Sequence, residues 1–150
     1  MKKNLLFKNT LIVLLFISLS GCNFSSTYLN REEDKNDAEK IATKLYSCLE
    51  KKDYNELHKL ISKRFWETTS ATKLDDFLRT IDVKLGSIKS KNLDHWETKV
   101  IVGSKPSSTY ILYYLVKREK FVARETVTLT KENNEIKILG YNVNSEGMLK

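Results

Sequence analysis

Three stretches with a helical period, followed by four with a strand period, divide most of this chain into two halves. Ala38, Ile41, Ala42, Leu45 and Leu49 recur at spacings of three and four residues, which predicts an amphipathic helix over 37–52, with Asp34 or Asp37 placed to cap it. Asp53-x-x-Glu56 resembles a capping box and opens a second helix carrying Tyr54, Leu57, Ile61 and Phe65. A third begins near Thr72, gathers Leu74, Phe77, Leu78, Ile81 and Leu85 on one face, and meets Gly86 where a left-handed cap is wanted. Each helix has one apolar face and must lay it on something larger.

The pattern changes at Gly86. Segments 88–102, 108–117, 121–130 and 135–143 are rich in β-formers, with turn signals at Gly103-Ser104-Lys105-Pro106-Ser107 and Lys131-Glu132-Asn133-Asn134. Connections this short imply antiparallel neighbours. In 121–130, Phe121, Ala123, Glu125, Val127 and Leu129 share one side, while Val122, Arg124, Thr126, Thr128 and Thr130 share the other. The run Tyr110–Val116 is apolar on both faces, as expected of a central strand covered by helices on one side and by a second copy of the chain on the other. Helices first and an antiparallel sheet after them is an α+β order.

Before the first helix the chain carries a different signal. Lys2, Lys3 and Lys8 precede the nine-residue apolar stretch 11–19, and the small residues Ser20 and Gly21 lead to Cys22. That is the order of a secretory signal, with an apolar core far short of the roughly 20 residues a membrane-spanning helix needs. Leu19-Ser20-Gly21-Cys22 resembles the lipobox of bacterial lipoproteins. The resemblance implies cleavage before Cys22, a thioether-linked diacylglycerol on its sulfur and an acylated amine, and hence stable attachment to a lipid bilayer, since more than one chain is inserted. The expected division is a signal peptide over 1–21, a flexible tether over 22–35, a domain over 36–145 and a tail over 146–150. The expected location is the cell envelope. Asn23 is not the aspartate associated with inner-membrane retention, so the outer membrane facing the periplasm is expected if the host is Gram-negative.

Processing alters the composition. Loss of residues 1–21 leaves 129 residues and lowers the formal charge from +7 to +4, because three lysines leave with the leader. That size suits one domain, and the mild charge with an exported location speaks against nucleic acid as a partner. With Cys22 lipidated, Cys48 has no partner for an internal disulfide, and the domain must rely on its apolar core.

The element order, the stretch Lys44-Leu45-x-x-x-Leu49-x-x-x-Asp53-Tyr54-x-x-Leu57 and the pair Glu125-Thr126-Val127-Thr128-Leu129 and Ile136-Lys137-Ile138-Leu139-Gly140-Tyr141 resemble the cystatin-like, nuclear transport factor 2-like superfamily over about residues 36–145. The resemblance implies N-terminal helices packed into a curved four-stranded antiparallel sheet that closes a cone. Enzymes of the ketosteroid-isomerase kind use the open end of such a cone, with an acid–base carboxylate and a hydrogen-bonding tyrosine. Glu125 is the carboxylate to examine here, with Tyr110, Tyr114 and Tyr141 as possible donors around it. The competing reading pairs Glu125 with a lysine or arginine across the sheet, a common and non-catalytic fate of buried carboxylates.

The remaining chemistry is sparse. His58 sits at the edge of the second helix's apolar stripe, and His95 lies between Asp94 and Trp96, without metalloprotease spacing. Two isolated histidines and one thiol make a poor metal set, and no metal or cofactor is expected. Cys48 reads as a core-edge thiol. Lys40, Lys44 and Lys51 share a narrow arc of the first helix, either against anionic headgroups or as a solvated face. Three functions fit: a non-enzymatic envelope module binding a protein or small ligand, a pocket enzyme of the isomerase or hydratase kind, and an inhibitor or immunity-type lipoprotein that makes contact through 103–107.

Overall fold

The computed structural model describes residues 24–150; the leader 1–21 and Cys22 lie outside the described residues. The chain is α+β. A short strand β1 (Ser25–Leu29) is followed by helices α1 (Glu32–Lys51), α2 (Tyr54–Leu60), α3 (Lys63–Trp66) and α4 (Ala71–Leu85). Strands β2 (Ile88–Gly103), β3 (Ser107–Arg118), β4 (Val122–Glu132) and β5 (Glu135–Asn144) complete it, with a terminal 3₁₀ turn at Glu146–Met148. The sheet is an antiparallel meander in the order β1-β2-β3-β4-β5.

The sheet has five strands where four are expected, and the extra one falls in the segment expected to be a tether. Ser25 pairs with Gly103 and Leu29 with Lys99, so 25–29 is the edge of the sheet rather than a free linker. The first helix also starts earlier than its apolar period suggests. Glu32, Glu33 and Asp34 occupy its first turn, where carboxylates suit the positive end of the helix dipole. Arg31 holds Asp34 through two N–H···O contacts of 2.7 and 3.0 Å.

The later helices start at side-chain caps. Asp53 accepts from the Glu56 amide at 3.1 Å, Ser62 from Phe65 at 3.0 Å and Ser70 from Lys73 at 3.3 Å. Helix α4 stops at Gly86, whose φ of 78° is open to glycine and costly for other residues. The β4–β5 hairpin turns on Asn133 and Asn134, both at positive φ, the geometry a two-residue hairpin requires.

The helices cover one face of the sheet. Between the layers lie Leu45, Leu57, Ile81, Leu85, Leu112, Val116, Val127, Leu129 and Ile138, each almost wholly buried. Strand β3 alternates strictly: Ser108, Tyr110, Leu112, Tyr114, Val116 and Arg118 point into this core. Ile111, Tyr113 and Leu115 face outward, and Leu115 is 45% exposed. Besides a register shift between Ile88 and Ser90 at the start of β2, two irregularities reset the parity of neighbouring strands, one in β2 between Leu93 and His95 and one in β5 opposite Thr128 and Leu129. The second gives β5 one extra residue, and only for that reason can Ile138 and Tyr141, of opposite parity, both face the core.

Candidate functional site

Three strands and one helix converge on Glu125. It lies on the inner face of β4, directly opposite Tyr114 of β3 and Val143 of β5, and none of its surface is exposed. An isolated carboxylate could not remain charged there. Its oxygens are instead fully engaged. Oε1 accepts from Arg118 Nε at 2.8 Å, and Oε2 accepts from the Tyr46 hydroxyl at 3.1 Å and from the Tyr141 hydroxyl. Arg118 also donates to the Gly86 carbonyl at 3.3 Å and to Tyr141 Oη at 3.4 Å. The strands β3, β4 and β5 and the helix α1 are thus joined through one buried polar cluster.

The electrostatics follow from this geometry. Burial pulls the Arg118 guanidinium down, but the adjacent Glu125 carboxylate more than offsets it and holds the group above its ordinary value. Burial, reinforced by the charge and hydrogen bond of Glu125, raises the Tyr141 phenol well above its usual range, with Arg118 opposing. Tyr46 is raised by burial first, then by Glu125. Tyr114 is raised by burial and by Glu39, and its ring stands edge-on to Tyr46 at 5.1 Å.

Of the tyrosines expected near Glu125, Tyr141 bonds to it and Tyr114 packs beside it. Tyr110 does not belong to the group. It pairs with Leu129 and Thr98, four residues along β3 from Tyr114, a separation of about 13 Å. Two members escape a reading of the sequence. Arg118 continues the inward parity of Tyr114 and Val116 one residue beyond the expected end of its strand. Tyr46 lies one helical turn from Ala42, on the same buried stripe.

A cleft of about 500 Å³ opens beside this cluster, between the C-terminal ends of α1 and α4 and the β3–β4 turn. Arg118 and Tyr141 reach its wall, together with Leu49, Tyr54, Ile81, Ile88 and the rim residues Val83, Glu119 and Lys120. Glu125 is behind that wall and does not line it. Two lysine contacts mark the border: Lys52 Nζ meets the Asp82 carboxylate at 2.6 Å, and Lys120 Nζ donates to the Val83 backbone carbonyl at 2.8 Å.

The other candidates lie elsewhere. His58 meets Asp75 at 2.8 Å and stands edge-on to Trp66, linking α2, α3 and α4. His95 faces outward from β2 against the ring of Tyr113, with Glu97 at 3.6 Å, so its acidic neighbour is Glu97 rather than Asp94. Cys48 is half-buried, and burial raises its thiol, with Asp53 adding to the effect. Lys40, Lys44 and Lys51 are exposed along α1, and Lys40 donates to Asp37 at 2.8 Å. Among the described residues no three histidine, cysteine, aspartate or glutamate side chains gather as a metal site, and no helix is long and apolar enough to cross a membrane. Compared with protein-family models, curated proteins and solved structures, the chain matches none.

Proposed function

We propose that this chain is a lipid-anchored module of a bacterial cell envelope that binds a small ligand or a protein segment in the cleft and performs no chemistry there. The observation that carries the binding part is the state of Glu125. A general base needs a free oxygen facing its substrate, whereas both oxygens of Glu125 are engaged behind the cleft wall. The cluster therefore reads as support for a binding surface, with Arg118 and Tyr141 as its polar floor. The anchor rests on the run Leu19-Ser20-Gly21-Cys22. The fold reading that goes with this is a cone of the cystatin-like, nuclear transport factor 2-like kind; a helical layer on one face of a meander and a cleft at one open end support it.

The inhibitor reading is weaker, because its contact loop 103–107 adjoins Ser25, three residues from the proposed lipid. The anchor is tested by mass spectrometry of the N-terminal peptide from native membranes, where a diacylated peptide beginning at Cys22 is expected and an unmodified cysteine would overturn the location. The binding reading is tested with a photo-crosslinking residue at Val83 on the cleft rim. A discrete adduct in intact cells is expected. If Val83 yields none while outward-facing Leu115 yields a dimer of the chain, the working surface is the sheet face and not the cleft.

A further inference from the structure

The two ends of the sheet differ in their relation to Cys22. We infer that the domain sits directly on the lipid surface, docked through the sheet end formed by Phe24, Val102 and the β2–β3 turn, with the cleft held on the opposite end and facing away from the bilayer. This rests on lipidation of Cys22 as proposed above.

Chain length limits how far the domain can stand from Cys22. Ser25 is already paired with Gly103 in the sheet, so only three peptide units separate it from Cys22, a reach of about 11 Å at most. A lipid-linked cysteine is confined to the interface between headgroups and acyl chains, and the domain cannot stand off from it on a linker. The end of the sheet that contains Ser25 is held within that reach of the membrane.

That end is built for such contact. Phe24, just before β1, is 78% exposed, and Val102, which pairs with Ser26 of β1, is 53% exposed. Exposed aromatic and aliphatic groups beside an acyl anchor gain by entering the interface. The β2–β3 and β4–β5 turns close on the same end, around a groove of about 490 Å³ that includes Val102, Pro106, Lys131 and Asn133. Lys105 and Lys131 are exposed there and suit anionic headgroups. The nearby acids have partners: Glu132 accepts from the Lys63 amide at 3.0 Å, and Glu135 meets Lys137 at 2.8 Å.

The cleft lies at the other end of the same strands. Its wall includes Ile88, the first residue of β2, and the β3–β4 turn. Fourteen residues of strand separate Ile88 from Val102, about 45 Å along the chain. A partner or ligand therefore approaches from the aqueous side, over the membrane-distal tip.

The test uses full-length protein produced with its leader and reconstituted by its own acyl chains into phosphatidylcholine–phosphatidylglycerol vesicles. Cys48→Ala removes the background thiol, and an environment-sensitive fluorophore is placed at Val102→Cys or at Val83→Cys, both exposed valines. Doxyl-labelled lipid is expected to quench the position-102 probe by about half while leaving position 83 unchanged, as a group within the interface requires. Equal accessibility of the two probes to lipid on vesicles that carry the protein through flotation would overturn the docking and leave the anchor standing. Failure to float with vesicles would overturn the anchor itself, and the docking with it.

Discussion

The near end of the sheet, beside Ser25, and the cleft end, beside Arg118, are made from the same strands but by different physics. At the near end, turns and strand edges leave Phe24 and Val102 in solvent, and Lys105 and Lys131 are exposed beside them. At the cleft end, a carboxylate, a guanidinium and the Tyr46 phenol are taken out of water together and, with the half-buried Tyr141, satisfy one another. The first arrangement tolerates change because little depends on it internally. The second is costly to disturb, because each member is the reason another can be buried.

The largest expected effect breaks the cleft end. Glu125→Ala leaves Arg118 buried without its counter-charge and should cost about 3–5 kcal/mol in urea unfolding. A double variant, Glu125→Leu with Arg118→Met, should recover much of that loss; if it is no more stable than Glu125→Ala, the pairing is not what holds this end together. Next comes the hinge between α4 and β2. Gly86→Ala forces a side chain onto positive φ and toward Glu119 Cβ, 2.7 Å away, and should cost about 1–3 kcal/mol in the same assay.

A third effect is a pH dependence confined to the alkaline side. Tyr46, Tyr114 and Tyr141 have phenols raised in the folded state. The unfolded chain releases these protons first, near pH 10, so their stabilisation is complete below that pH and is lost as pH rises from there through the folded values. Thermal melts should show Tm falling above about pH 10, and phenolate absorbance from these residues should rise together with unfolding. In Tyr141→Phe the slope should be shallower. The smallest effect sharpens the contrast from the other side: Val102→Ser at the near end should change unfolding free energy by no more than about 0.5 kcal/mol. A loss comparable to that of Glu125→Ala would show that the near end has a hidden structural role.

Most of the fold was legible from periodicity. The four main strands and helix α4 begin and end close to where apolar spacing and turn chemistry put them, while α1 starts five residues earlier than expected, and Gly86 and Asn133-Asn134 punctuate as their backbone freedom suggests. Strand β1 was not legible. Ser25-Ser26-Thr27-Tyr28-Leu29 has no alternation, and it is a strand only because the far end of β2 offers an edge. The four-residue helix α3 merged with the end of α2 for a related reason, since Ile61 and Phe65 keep the helical period across Ser62 although Ile61 bridges to Ile138 in an extended conformation.

The site was half legible. The inward parity of Glu125 is visible along β4, but its partners depend on tertiary detail. Tyr141 reaches it only because β5 carries an extra residue, and Tyr46 comes from a helix whose rotation against the sheet no local pattern records. Parity therefore identified the acid without identifying what neutralises it.

The pairing of β1 also has a consequence for how the molecule is assembled. Ser25 and Gly103 are neighbours in space but seventy-eight residues apart in the chain, whereas β4 and β5 meet across two residues. Closing the longer loop carries the larger entropic cost, so β1 is expected to join the sheet after the local hairpins have formed. Strand β1, the first in the chain, therefore waits longest for its partner. Of all the strands, it spends the most time as an open edge that another chain could occupy.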